Sequence, residues 1–457
     1  MASRLGCVRF SNRVATPELN QIARAERAAE SAGTLIRLSD SNPTRHALAP
    51  RLLPDEYQAD PRGSLSARCQ LAEWLSGRYG REVDPDNLYL LNSTSQGYAW
   101  VMKLFCRAGD KLLAPRPGYP LIDHLASLEE VEVENYFLTF DGAWLVDIGH
   151  LRQLLTSGDE RIRGLVAINP NNPTGSYLRP EERAAIIELC SQYELPLIVD
   201  EVFFDFPLGI DGQHRLAGEG FSGVSSGVVK QARLAREGCP GNSLGAGNGV
   251  FGAASSAGER RRLAGEGLCG APAIAGERLR LAGESSVLTL ALDGFSKNLA
   301  APHAKVAWLE VSGPHVLVDE AKARLDVIAD AYLPVSQLMV DQLPHMLSQV
   351  DEQQRRVSER TRHNLDTLTS LVRASSSGVM NVYPPEGGWS ALIRFPATID
   401  EDDLVLELIN HHGITVQPGY FFDLPTPGFL SVSLLLDPKV FADAVTQLVK
   451  TVDALAG

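Results

Sequence analysis

Short apolar runs recur along residues 87–306, separated by stretches with helical spacing. NLYLLNS (87–93), KLLAPRP (111–117), VEVENYFL (131–138), GLVAINP (164–170), PLIVDEVFF (196–204) and VLTLALDG (287–294) each read as a strand. STSQGYAWVMKLFCRAGD (93–110) places Tyr98, Val101, Met102 and Phe105 on one helical face. PEERAAIIELCSQY (180–193) opens on Pro180, which suits a first helical turn because its missing N–H has no partner there anyway. Strands alternating with helices predict an α/β fold, with a mostly parallel sheet covered by helices on both faces. Ligands of such sheets sit outside the carboxyl ends of the strands. Ser93, Asn169, Asn172, Asp200 and Lys297 all fall at those ends.

Two stretches depart from the pattern. Residues 208–285 are rich in Gly, Ala, Ser, Arg and Glu and poor in aromatics. AGERRRLAGE (257–266) recurs as AGERLRLAGE (275–284), and RLAGEG also occurs at 215–220. Such a composition buries little apolar surface, so a flexible insertion is expected. GNGVFG (247–252) neither follows a strand nor opens a helix, so it is no dinucleotide fingerprint. After residue 310 long helical stretches give way to NVYPPEGGWSALIRFP (381–396), GITVQPGYFF (413–422) and GFLSVSLL (428–435). These predict a smaller α+β C-terminal domain over 311–457, joined by residues 1–40, beside a large domain over 41–310.

The 457 residues carry 42 Lys and Arg against 56 Asp and Glu, a net charge of −14. Such a balance opposes binding to nucleic acid or an anionic membrane. The basic start, MASRLGCVRFSNR, lacks a signal-like apolar core, and no run of about 18 apolar residues occurs. A cytoplasmic protein is expected. The six cysteines form no CxxC pair and read as reduced thiols, and His303, His411 and His412 have no metal-ligand spacing.

The chemistry lies at the strand ends. Lys297 and Asp200 each close an apolar run, Asn172 sits in the turn NPNNPTG (169–175), and Ser93, Thr94 and Ser95 open a helix. Free N–H groups at a helix start attract anions. A lone Asn-Pro is usually a turn, and a strand-end Asp is often a helix cap. Together, however, an amine, a carboxylate, an amide and an anion cradle are what pyridoxal 5′-phosphate (PLP) needs.

NPNNPTG, DEVFFDF and GFSK followed by Lys305 resemble the class I/II aminotransferases of the aspartate-aminotransferase fold. SNPTR (41–45), YQADPRG (57–63), STS (93–95), PRPGYP (115–120), PPEGGW (384–389) and QPGYFF (417–422) extend the resemblance over nearly the whole chain outside the insertion. The resemblance implies that Lys297 forms the Schiff base and moves a proton, Asp200 pairs with the pyridine nitrogen and Asn172 bonds the 3-oxygen. It further implies that Tyr119 stacks on the ring, that Ser93, Thr94 and Ser95 hold the phosphate near Ser296 and Lys305, and that Tyr57 crosses a homodimer interface. An ordinary lysine pKa of about 10.4 must fall for Lys297 to act near neutrality.

Three positions depart from the family pattern. Phe203 stands where a tyrosine is usual, which removes one donor from the 3-oxygen. Lys305 replaces the phosphate arginine, giving charge without a bidentate fork. Ser431 stands where an arginine clamps the substrate carboxylate, leaving Arg45, with Asn42 beside it, or Arg394 as candidates. The leading expectation is transamination between an amino acid and a 2-oxo acid. Another PLP reaction, such as decarboxylation, elimination or C–C bond formation, is the alternative. A non-catalytic PLP-fold regulator acting through the insertion is the third, and the intact Lys297, Asp200 and Asn172 argue against it.

Overall fold

The computed structural model describes residues 20–40, 60–208 and 278–457. Along the chain come α1 (Gln21–Ser31), β1 (Ile36–Arg37), α2 (Leu65–Tyr79), β2 (Leu88–Leu91), α3 (Thr94–Phe105), β3 (Lys111–Arg116), α4 (Leu121–Leu128), β4 (Glu132–Phe140) and β5 (Trp144–Val146). Next are α5 (Ile148–Thr156), β6 (Ile162–Ile168), α6 (Pro180–Gln192), β7 (Leu197–Asp200), β8 (Thr289–Gly294), α7 (Phe295–Asn298) and β9 (Ala307–Ser312). Eight of these strands form one sheet, ordered β2-β9-β8-β7-β6-β3-β4-β5. The pairings from β8 through β4 are parallel, whereas β2–β9, β9–β8 and β4–β5 are antiparallel. Every residue of β7 and β8 is buried, as a sheet covered on both faces requires.

Close approach makes this layering possible. A Cβ on Gly97 would run into Leu292 of β8, so the bare glycine lets α3 settle on the sheet. Pro180 does open α6, and the carboxylate of Glu182 accepts the Arg179 N–H at 2.7 Å.

The chain continues with α8 (His315–Tyr332), α9 (Gln337–Val340), α10 (Leu343–Arg373), β10 (Asn381–Tyr383), β11 (Ser390–Arg394), α11 (Glu401–His412), β12 (Ile414–Thr415), β13 (Gln417–Pro418), β14 (Phe429–Ser433) and α12 (Pro438–Ala456). An antiparallel sheet, β10-β11-β14-β13, forms the smaller unit, and β1 pairs in parallel with β12. Ile22 of α1 shares its core with Leu365, Leu408 and Phe441. Among the described residues no helix is long and apolar enough to cross a membrane.

The two cores do not divide at residue 311. Val318, Ala321 and Leu325 of α8 pack with Trp100 and Leu309 against the large sheet. The helix α10 serves both cores. Met346 and Val350 pack with Leu71 and Trp308, whereas Leu365, Leu368 and Val372 enter the smaller core.

The insertion expected over 208–285 also needs correcting at both ends. Leu208 is buried, and its N–H donates to the Glu386 carbonyl at 2.8 Å. Leu281 is fully buried. Its N–H donates to Glu201 Oε1 at 2.8 Å, and the Ala282 N–H reaches Glu201 Oε2 at 3.3 Å. Glu201 is itself buried, and its carboxylate needs these donors. The segment 209–277 lies outside the described residues. Leu281→Ala is therefore expected to lower stability by about 2–4 kcal/mol in urea denaturation. A loss under about 0.5 kcal/mol, typical of a surface change, would count against this packing.

Candidate active site

Three strand ends and one helix start meet at a single cavity. The strand β7 ends on Asp200, β8 runs into the short turn α7 that carries Lys297, and β6 leads into the turn holding Asn172. The helix α3 begins at Thr94. Thr94, Tyr119, Asn172, Asp200, Phe203, Ser296 and Lys297 line a cavity of about 570 Å³. The smaller unit closes it with Trp389, Ser390, Gln417 and Ser433, and Ser39 joins them.

Ser93 and Ser95 flank Thr94 in sequence, and the Ser93 hydroxyl accepts the Gln96 N–H at 3.2 Å as the cap of α3. Lys305 is exposed, has a left-handed φ of 52° and precedes the cavity-lining Ala307 by two residues. Arg394 does not come to the cavity. Its guanidinium lies 4.6 Å from the Phe429 ring centre and donates to the Pro427 carbonyl. The reason is register: β11 brings its first residue, Ser390, to the cavity and ends on Arg394. Asn42, Arg45 and Tyr57 lie outside the described residues.

The charges at the centre sit where the sheet meets aromatic rings. Asp200 is buried, Tyr98 donates its hydroxyl to Oδ2 at 3.0 Å and the Val202 N–H reaches Oδ1 at 3.2 Å. Burial pushes its carboxyl up to about 6, against the pull of these two donors and of Lys297. Lys297 is partly buried, with its Nζ 4.9 Å from the ring centres of both Phe203 and Trp389. Burial pulls its amine down to about 8, and the Asp200 charge opposes that shift. The two rings supply an attractive face but no proton acceptor, so the amine can be freed for reaction.

The donor set fits a flat, anionic ring compound. Each carboxylate oxygen of Asp200 has one protein donor and retains acceptor capacity for a ring N–H. Tyr119 offers a flat face, and the first turn of α3 offers N–H groups to an anion.

Tyr98, Trp389 and Gln417 are site residues that the sequence pattern does not single out. Tyr98 sits at core spacing on α3, so its hydroxyl is indistinguishable from packing until the fold puts Asp200 opposite it. Trp389 and Gln417 belong to the motifs PPEGGW and QPGYFF, which carried a signal for the family but not for a role.

The family described as aminotransferase class I and II matches residues 56–221 and 252–448. The glutamate-pyruvate aminotransferase AlaA of Escherichia coli (strain K12) is 30% identical over 204 residues, 42% of this chain and 49% of that protein. Glutamate–glyoxylate aminotransferase 1 of Arabidopsis thaliana is 32% identical over 149 residues, 32% of this chain and 31% of that protein. The chain thus spans about half the length, or less, of these curated relatives. An aminotransferase from Escherichia coli superposes with a TM-score of 0.73 at 17% identity, covering 97% of this chain and 98% of that one. An alanine aminotransferase from Pyrococcus furiosus gives 0.73 at 16% identity, covering 97% of this chain and 100% of that one. At these identities the two structures establish a shared fold.

The raised carboxyl has a measurable sign. Folding favours the protonated Asp200, so this stabilisation is present below its ordinary 3.8 and is lost as pH rises through about 6. In cofactor-free protein, Asp200→Asn should therefore gain stability relative to the wild type between about pH 4 and about pH 6. Urea midpoints measured across that window check it, and a difference independent of pH would refute the raised carboxyl.

Proposed function

Because this chain belongs to the aminotransferase class I and II family, we propose that it transfers an amino group between an amino acid and a 2-oxo acid, with PLP as cofactor. The carrying observation is one cavity that joins an amine lowered by burial to a buried carboxylate. When bound, PLP supplies an electrophilic carbonyl and an electron-accepting ring that takes up charge from the substrate Cα.

The residues divide the work. Lys297 Nζ would be the nucleophile that holds the cofactor and, once free again, the base that moves a proton between the substrate Cα and C4′ of the cofactor. Asp200 keeps a proton on the ring nitrogen, and Tyr98 fixes the orientation of its carboxylate. Asn172 donates to the ring oxygen, Phe203 lacks the hydroxyl to do so, and Tyr119 covers the ring face. The start of α3, with Ser93, Thr94 and Ser95, receives the phosphate, and Ser296 and Lys305 add a hydroxyl and a charge. Arg45 and Asn42 remain the proposed contacts for a substrate carboxylate. A cytoplasmic homodimer, with Tyr57 completing the neighbouring site, is part of the same proposal and rests on the resemblance.

A second reading has one observation behind it. Among the described residues no arginine lines the cavity. A site built that way suits another PLP reaction on an amino acid, in a biosynthetic role, as well as it suits transamination.

The test is absorbance and single-turnover chemistry on purified protein loaded with PLP. The expected result is a visible band that borohydride fixes to Lys297 and that Lys297→Ala lacks. Given one amino acid and no acceptor, the enzyme should release a stoichiometric amount of 2-oxo acid and stop. Lys297→Ala should lower that rate by about 10²–10⁴-fold. Continued turnover without an acceptor, with release of carbon dioxide or ammonia, would favour the second reading. Failure to bind PLP would overturn both.

A further inference from the structure

A largely buried polar chain runs next to Lys297; its side chains lie outside the active-site cavity, and Arg78, Tyr79, Asp205, Arg280 and Gln354 line a second one. It begins at Asn298, the residue after the lysine, which is fully buried. Asn298 Nδ2 donates to Asp293 Oδ1 at 2.8 Å, and its Oδ1 accepts from Gln354 Nε2 at 3.1 Å. Asp293 Oδ1 also takes the Gly294 N–H at 2.7 Å, and its Oδ2 takes Arg280 Nη1 at 3.0 Å. Gln354, on α10, donates further to Asp205 Oδ2 at 3.3 Å and accepts from Arg78. Asp205 Oδ2 is also bound by Tyr79 Oη at 2.7 Å and Arg78 Nε at 3.1 Å.

The turn α7 has four residues, too few to hold a helical shape alone. Asp293 and Asn298 flank residues 294–297, so the bond between them closes the turn from its two ends. Gln354 then ties the closed turn to α10. The charges around this chain are Arg78 and Arg280 against Glu201, Asp205 and Asp293, with the Tyr79 phenol between them. Asp200 faces Lys297 from β7. Asn298 has both amide atoms bonded, whereas among the described residues Asp205 Oδ1 and Arg280 Nε and Nη2 have no hydrogen-bond partner. The satisfied end of the chain is therefore the one at the turn, and losing the Asn298 amide loosens it.

We propose that Asn298 is a positioning residue for Lys297, acting through Asp293 on one side and Gln354 on the other. The inference rests on the reading of Lys297 as the reacting amine. Asn298 touches neither cofactor nor substrate; it fixes the direction in which the lysine leaves the chain. Removing its amide frees the turn, lets the ammonium swing further from the aromatic wall into the cavity and moves its affinity for a proton part of the way back to the ordinary value.

The test uses cofactor-free full-length protein, formaldehyde with cyanoborohydride, and peptide mass spectrometry of Lys297 across pH. The wild type should show a reactivity midpoint near 8. Asn298→Ala should raise it by about one pH unit and slow labelling at neutral pH several-fold. Asn364→Ala is the comparison: Asn364 is also fully buried, and its Nδ2 makes 2.9 Å bonds to the Leu434 and Leu436 carbonyls with no link to α7. It should lose stability while leaving the Lys297 midpoint at the wild-type value. Gln354→Ala, which leaves the Asn298–Asp293 bond in place, should move the midpoint in the same direction by less, and it serves if Asn298→Ala does not fold. Equal midpoints in Asn298→Ala or Gln354→Ala and in Asn364→Ala would overturn the inference alone. A wild-type Lys297 that titrates like a surface lysine would overturn the reading of the lysine, and this inference with it.

Discussion

Placing Asp200 and Lys297 together at the wall of one cavity sets conditions on everything around them. Each ionised group gives up water, and neither has enough protein donors or acceptors to replace it. The cost is borne by a closely packed frame. The strands β7 and β8 are buried along their whole lengths, α3 sits close on the sheet at Gly97, and Tyr98 reaches Asp200 from that helix. A looser sheet would let the two groups neutralise each other or admit solvent. The tension between them is electrostatic, and burial pushes the two groups toward their neutral forms.

The cavity belongs to neither core alone. The large sheet supplies the reactive groups, and the smaller unit supplies Trp389, Ser390, Gln417 and Ser433. Trp389 matters most among these, because its ring is one of the two surfaces on which the lysine rests. Chemistry on the large unit is thus conditioned by how the smaller one is seated.

Much of this was legible from residue order. Apolar runs ending in Asn169, Asp200 and Lys297 mark strands with parallel neighbours, and with the run before Ser93 they mark the ligand-bearing end of the sheet, because burial on both faces leaves a long apolar signal. The antiparallel strand β9, set between β2 and β8, left less trace. In β9 the run AWLEVS carries Glu310, whose charge breaks the pattern until Arg81 is seen beside it, at 2.6 Å. The turn α7 is too short to show a period. The hardest segment was 278–285, where Arg280, Leu281 and Glu284 are core or anchoring residues inside a near-repeat that reads as low complexity. AGERRRLAGE and AGERLRLAGE differ at one position, Arg261 against Leu279, so composition carries no hint that the second copy packs against Glu201. Arg394 failed for a related reason: a charge on a strand gives its face, but not which end of the strand the cavity occupies.

The helix α10 is 31 residues long, about 46 Å at 1.5 Å per residue. Its first turns are rooted in one core and its last in the other. Gln354 lies between the two roots and bonds Asn298, the residue after the lysine. One unbroken helix therefore spans the smaller core, the large core and the turn that presents the amine, so the seating of each unit is written into a single rigid-body axis rather than into a loop.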